Sequence, residues 1–207
     1  MFGDLYRRTL TAPAQAALYR SVPVAYVWDD HDYGPNNADG ARQLAWLERE
    51  LVVAGRSHAV VVWVNPDPWI AAPADGADDW GGYPRERRAI ADVIAGARID
   101  NLIMVSGDAH MVALDDGSHS GYSGSGHPGF PVLQAGALDR PGSVKGGPYS
   151  HGTFPGGGQF GTITVTDDAA ASRGGVELTG RTWRNQVLVS YRTNFPAPPA
   201  SPGPLPG

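Results

Sequence analysis

The stretch from residue 84 to residue 110, PRERRAIADVIAGARIDNLIMVSGDAH, contains a helix pattern followed by a strand pattern. Pro84 stands where the first helical residue is expected, and Ile90 and Ile94 recur at helical spacing. The apolar run over 99–106 then predicts a buried strand, which ends in the polar sequence GDAH. A helix followed by a strand is the repeating unit of α/β domains, so this stretch favours that fold class.

The same alternation extends towards the N-terminus. A short helix is predicted over 12–20 and an amphipathic helix over 41–54, while apolar runs over 22–28 and 58–64 predict buried strands. This order is typical of a layered α/β domain with a largely parallel central sheet.

The C-terminal half has a different character. Residues 117–158 are rich in Gly, Ser and Pro and are predicted to form a long loop. Further strand-like segments follow it: 160–165, 176–178 and 187–191. We expect one domain over residues 1–194 and an extended Pro-rich tail over 195–207.

Charge and composition exclude several classes of protein. The net charge of -5, from 16 Lys and Arg against 21 Asp and Glu, argues against binding nucleic acid through a basic patch. The chain has no Cys, which removes disulfides and thiolate ligands, so any metal must use oxygen and imidazole ligands. No apolar run approaches the ~20 residues that span a bilayer, and no signal peptide is visible. A cytoplasmic, membrane-free protein is therefore the default expectation.

Two clusters of acids and histidines follow predicted strands. The first, DDHD at 29–32, comes after the strand at 22–28, and the second, Asp108 with His110, comes after the strand at 99–106. Carboxyl ends of parallel strands meet at one edge of a sheet, which is where ligands bind in open α/β folds. Close carboxylates repel one another, and a bound cation offsets that cost.

Mixed Asp and His ligation suits calcium, manganese, iron or zinc. Each cluster alone is also typical of a purely structural role. The first would be a solvated acidic turn, and His110 would be a histidine of the core.

Other candidate residues are open to two interpretations. Lys145, the sole lysine, begins KGGPYSHGTFPGGGQFG, which is either a lid facing phosphate or a plain connector. Arg85, Arg87 and Arg88 are expected to form a solvated face, with capture of phosphate as the alternative. Phosphate-loop, nucleophile-elbow, H-E-x-x-H and EF-hand motifs are absent from the sequence.

Several blocks together resemble one family, the alkaline phosphatase D (PhoD-like) metallophosphatases of the calcineurin-like metallophosphoesterase superfamily. The blocks are, in chain order, VPVAYVWDDHDYGPNN, ARQLAWLERE, VVVWVNPDPWI, DDWGGYPRERRAI, MVSGDAHMVALDDG and KGGPYSHGTFPGGGQFG. The resemblance implies an α/β calcineurin-like layered sheet sandwich flanked by helices. It also implies hydrolysis of small phosphomonoesters and phosphodiesters at a centre of two divalent metal ions, with calcium expected first and iron or manganese as alternatives.

The resemblance assigns roles to individual residues. Asp30, Asp108 and His110 take the places of metal ligands, and Asn36 takes a place whose amide contacts the phosphate of the substrate or, as the alternative, a metal ion. His31 takes the place of the general acid, which protonates the departing alkoxide after a metal-bound hydroxide attacks phosphorus.

The family pattern is incomplete in this sequence. An N-terminal region that carries the first ligands is missing, as is a strand-containing segment after residue 40, so the sheet is expected to lack strands. A non-catalytic metal-binding remnant or fragment of such an enzyme is therefore the alternative to an active phosphatase.

Overall fold

The computed structural model describes residues 7–8, 10–25, 41–168 and 173–196, and these form a mixed α/β structure with two β-sheets. The α/β class predicted from the sequence is confirmed at this level. The calcineurin-like order of layers stays a prediction. The predicted site residues Asp30, His31 and Asn36 lie outside the described residues.

The helices are α1 (Pro13–Ser21), α2 (Ala41–Ser57) and α3 (Pro84–Ala97). Helix α3 begins at the proline predicted to start it and buries Ile90 and Ile94 on one face. It is capped by Arg98, whose backbone is left-handed (φ 53°) and whose N–H donates to carbonyls of the last turn.

The first sheet contains β1 (Val61–Asn65), β2 (Leu102–Ser106), β3 (Met111–Asp115), β4 (Val132–Gln134) and β5 (Thr153–Pro155), in the spatial order β1-β2-β4-β3-β5. Strands β1, β2 and β4 are parallel, whereas β3 runs antiparallel to both of its neighbours. The expectation of a largely parallel sheet is therefore only half right. The link from β2 to β3 is too short to hold a crossover helix, so β3 must run back along the sheet.

The second sheet is an antiparallel meander of β6 (Gln159–Asp168), β7 (Arg173–Thr182) and β8 (Val187–Pro196). Its strands contain the predicted segments but are longer. Polar residues such as Thr164 and Thr166 alternate with Val165 without ending β6, because this part of the strand is exposed. Strand β8 also continues into the predicted tail, since Phe195 is buried in the core.

Two further sequence predictions were wrong. Residues 22–25, the first part of the predicted strand 22–28, are exposed and belong to no strand, and 26–28 lie outside the described residues. The predicted loop 117–158 contains β4 and β5. Strands of three residues are too short to show the alternation that identifies a strand in sequence.

The first sheet separates two apolar cores. One face packs against α2 and α3 through a cluster that includes Trp63, Trp69 and Ile90. The other face packs against the second sheet through a cluster that includes Leu133 and Leu178. The carboxyl ends of β1 and β2 are left at one edge of this layered structure, where the acidic turn after β2 is found.

Candidate functional site

The turn that follows β2 carries the predicted ligands Asp108 and His110. Both residues have positive φ angles, 63° and 51°, which non-glycine residues adopt rarely and aspartate more readily than most. The N–H of Gly107 donates to the carbonyl of Pro66 at 3.0 Å, so the turn is tied to the segment that follows β1. Strained backbone of this kind often occurs at functional sites, where the surrounding structure must hold it in place.

Buried polar side chains hold the start of this turn. Ser106 Oγ donates to Gln134 Oε1 at 2.6 Å, and Gln134 Nε2 donates to the carbonyl of Gly107. Both side chains are buried. Because β4 pairs with β2, Gln134, which is 28 positions after Ser106, fixes the backbone immediately before Asp108. The sequence carries no signal for this contact, since Gln134 lies in the segment predicted as a loop.

Lys145 is the principal partner of Asp108. Its ammonium contacts the carboxylate of Asp108 and lies 2.8 Å from Asp78 Oδ2. Burial lowers the pKa of Lys145, but the hydrogen bonds and charges of Asp108 and Asp78 outweigh burial and raise that pKa overall. Lys145, whose segment the sequence predicts to be either a lid or a connector, therefore lies at the candidate site and is held as a cation.

The loop that carries Lys145 is docked directly on the acidic turn. The N–H of Ser143 donates to the carbonyl of His110 at 3.2 Å, and Ser143 Oγ donates to the carbonyl of Ala109 at 3.1 Å. The side chain of His110 is half-buried. Hydrogen bonds from Ser143 and the contact between Lys145 and Asp108 thus join the loop to the turn.

The described residues alone do not complete the predicted two-metal centre. Within residues 7–8, 10–25, 41–168 and 173–196, no three His, Asp or Glu side chains come together as a metal site would require. Two carboxylates, those of Asp78 and Asp108, do converge on one cation, the ammonium of Lys145. Carboxylate oxygens suit hard divalent cations, so this pair supplies part of a donor set and no more.

The arginines of α3 have different environments. Arg87, expected on a solvated face, is 2% exposed and donates to the carbonyls of Trp69 and Ala71 at 2.9 and 2.8 Å. Its guanidinium also stacks 3.7 Å from the ring centre of Tyr122, and burial lowers its pKa. Arg88 is exposed, as expected. Arg87 therefore holds the loop after β1 and is not available to capture phosphate.

A second polar cluster lies at the opposite edge of the first sheet, because β3 is antiparallel to β4. Asp115, at the end of β3, is fully buried and accepts hydrogen bonds from the backbone N–H groups of Gly117, His119 and Ser150. The imidazole of His119 lies 2.7 Å from the same carboxylate. Asp115 thereby joins two loops, which is a structural role.

An open groove lies beside the acidic turn at the carboxyl ends of β1 and β2. Its volume is about 530 Å³, and one of its walls comes from β6 of the second sheet. Asp108 lies on this groove. Ligand sites in α/β folds occur at this position, and ligand pockets have volumes in this range.

Comparison with known proteins finds a similarity to one family over less than half of the chain. Residues 36–128 match the family model described as PhoD-like phosphatase. A solved structure of PhoD aligns with 74% of this chain and 31% of its own, with 12% sequence identity and a TM-score of 0.43. None of the curated proteins matches the sequence. Among the described helices, none has the length and apolarity needed to cross a bilayer.

Proposed function

We propose that the protein hydrolyses phosphoric esters, monoesters or diesters, with the help of divalent metal ions, because residues 36–128 match the PhoD-like phosphatase family model. One observation carries the proposal. The matched segment includes the turn after β2, and that turn places Asp108 on a groove at the carboxyl ends of two parallel strands.

The proposed roles follow the family resemblance. Asp30, Asp108 and His110 hold the metal, Asn36 contacts the phosphate, and His31 gives a proton to the departing alcohol. When bound by these residues, a divalent ion would supply positive charge to offset the charge that develops on phosphate, with calcium expected first and iron or manganese as alternatives.

The contacts of the described residues support a site built for a cation. Asp108 and Asp78 together hold one positive charge, and the loop of Lys145 is hydrogen-bonded to the turn through Ser143. The hydrogen bonds of Gln134 and Pro66 fix the backbone on both sides of Gly107, which keeps Asp108 in its strained conformation.

Hydrolysis of p-nitrophenyl phosphate and bis-p-nitrophenyl phosphate tests the proposal, with calcium, manganese or a chelator present. We expect turnover that the chelator abolishes and that falls about 10² to 10⁴-fold in His31→Ala, the range expected when a general acid is lost. Asp108→Asn should lose chelator-sensitive turnover as well. Asp139→Asn, which removes a carboxylate from an exposed loop position, is the control and should keep full activity. Equal rates in His31→Ala, Asp108→Asn and the control would refute the assigned roles.

The pairing of Asp108 with Lys145 favours a second candidate, a non-catalytic metal-binding remnant, because the carboxylate is already neutralised by the protein itself. Metal content separates the two candidates. Two tightly bound ions per folded chain together with chelator-sensitive turnover support the hydrolase, and one ion or none with no turnover supports the remnant.

A further inference from the structure

The groove beside Asp108 has walls of unusual chemistry for a site that handles a phosphate. Apolar side chains come from both sheets and from the segment after β4: Val64, Val105, Leu133, Leu138, Phe160 and Ile163. No Arg or Lys occurs among the described residues that line it. The groove therefore offers little to a second anionic group away from the acidic turn.

The polar side chains in the groove are already engaged by the protein. Asn65 donates to the carbonyl of Asp67, Ser106 donates to Gln134, and Gln159 accepts from the N–H of Val112 at 3.1 Å. Hydrogen-bonding groups that are engaged internally contribute little to binding a polar ligand. Asp108 is the charged group on this surface, and it lies at the end where the turn and Lys145 are.

Exposed apolar side chains make the groove suitable for an apolar ligand. Leu138 is 78% exposed and Val64 is 50% exposed, so both have apolar surface that a ligand can cover. The volume of about 530 Å³ is enough for a group much larger than phosphate. A ligand whose phosphate lies at Asp108 would extend its other end along these side chains.

From this arrangement, and resting on the proposed phosphoric-ester hydrolysis, we infer that the substrate is an ester of an apolar alcohol, whose hydrocarbon part lies in the groove while its phosphate lies at the acidic turn. Esters of small or polar alcohols, such as sugars, leave the apolar walls uncovered. The groove thus selects the alcohol, and the acidic turn handles the phosphate.

Two alkyl esters with similar leaving groups test the inference, namely methyl phosphate and n-hexyl phosphate, both followed by release of inorganic phosphate. Each methylene that is buried raises binding about fourfold, so burial of two or more gives n-hexyl phosphate a kcat/KM at least about tenfold higher. Leu138→Asn and Val64→Thr keep a neutral charge and should reduce this preference, the ratio of the two kcat/KM values, about three- to tenfold. Val187→Asn, at an exposed apolar position of β8 outside the groove, should leave the preference unchanged.

A binding experiment separates this inference from the proposed function. The probes are methylphosphonic acid and n-hexylphosphonic acid, titrated calorimetrically into the full chain with calcium and with a chelator. Hydrolysis of both esters at equal rates would overturn the apolar-alcohol inference and leave the phosphatase proposal standing. The phosphatase proposal fails only if neither the alkyl esters nor p-nitrophenyl phosphate and bis-p-nitrophenyl phosphate are hydrolysed. If the alkyl esters are not hydrolysed, the affinities of the two phosphonic acids test the groove. Tighter binding of n-hexylphosphonic acid that weakens in Leu138→Asn supports the inference, and equal affinity for the two acids overturns it.

Discussion

The ammonium of Lys145 contacts the carboxylate of Asp108, a residue 37 positions earlier in the chain, and so neutralises the acid that the sequence marks as a metal ligand. Lys145 holds Asp78 in the same way. A cation supplied by the protein therefore occupies the position at which these two carboxylates converge. A divalent ion bound by Asp108 must compete with this contact.

Replacing Lys145 with methionine is expected to tighten calcium binding about tenfold, because calcium then no longer has to displace the ammonium from Asp108. Two unit charges about 3 Å apart attract one another by roughly 1.4 kcal/mol even at the dielectric constant of water. Calorimetric titration of the metal-free chain measures the dissociation constant. Arg140→Met is the matched control, since it removes one positive charge from an exposed position in the same loop region. Equal calcium affinities in the two variants would show that Lys145 does not compete with the metal.

Substitution of Arg87 by methionine is expected to lower the free energy of unfolding by about 2–3 kcal/mol, because it leaves the buried carbonyls of Trp69 and Ala71 without their donor. Urea denaturation gives the value. In the control Arg88→Met the loss should stay below about 1 kcal/mol, since Arg88 is exposed and lies 3.8 Å from Asp92. A similar small loss in both variants would mean that the buried arginine is dispensable.

Gly180 on β7 lies against Val112 of the first sheet. A Cβ atom at this position would lie 2.0 Å from Val112 Cγ1 on β3, so Gly180→Ala must push the sheets apart or displace Val112. We expect a loss of about 1–3 kcal/mol in the free energy of unfolding, as for other overpacked cores. Gly174→Ala on the same strand is the control, because its Cβ would meet only a carbonyl oxygen at 3.9 Å. Equal stability of the two variants would place the sheets further apart than described.

Asp116 gives a prediction about acid stability. The hydrogen bond from Ser118 is the main cause that lowers the pKa of Asp116, and the charge of His151 acts in the same direction. A lowered pKa means that the stabilisation is present above the unfolded value of about 3.9 and is lost as the pH falls through the folded value.

Asp116→Asn should therefore reduce the loss in the free energy of unfolding that occurs below about pH 4. The reduction should be less than about 1 kcal/mol, because the carboxylate is partly exposed. Thermal unfolding between pH 2 and pH 6 measures the effect, and Asp139→Asn serves as the comparison. A curve for Asp116→Asn that runs parallel to the unmodified chain would exclude this contribution.

Much of the fold followed from local patterns. The helix that begins at Pro84 and the strands around Val61 and Leu102 have apolar residues at regular spacing, and their bounds agree with the prediction within a few residues. Strands β4 and β5 were not predicted, because each has only three residues, too few to show a strand pattern in sequence. Pairing with neighbouring strands of the sheet stabilises them.

The candidate site divides in the same way. The sequence identified Asp108 and His110, because an acid and an imidazole directly after an apolar strand are visible in one dimension. Gln134 and the role of Lys145 were not predictable, since their contacts depend on how β4 pairs with β2 and on where a loop folds back. The roles assigned to Asp30, His31 and Asn36 stay predictions.

By itself the sequence determined the α/β class, the helix and strand that lead to the acidic turn, and the similarity of residues 36–128 to the PhoD-like phosphatase family model. These depend on short-range periodicity and on motifs. The tertiary structure alone decided that Lys145 neutralises Asp108, that Arg87 is buried and that an apolar groove runs along the acidic turn. Each of these depends on segments that are distant in sequence, and only the packing of the sheets, helices and loops brings such segments into contact.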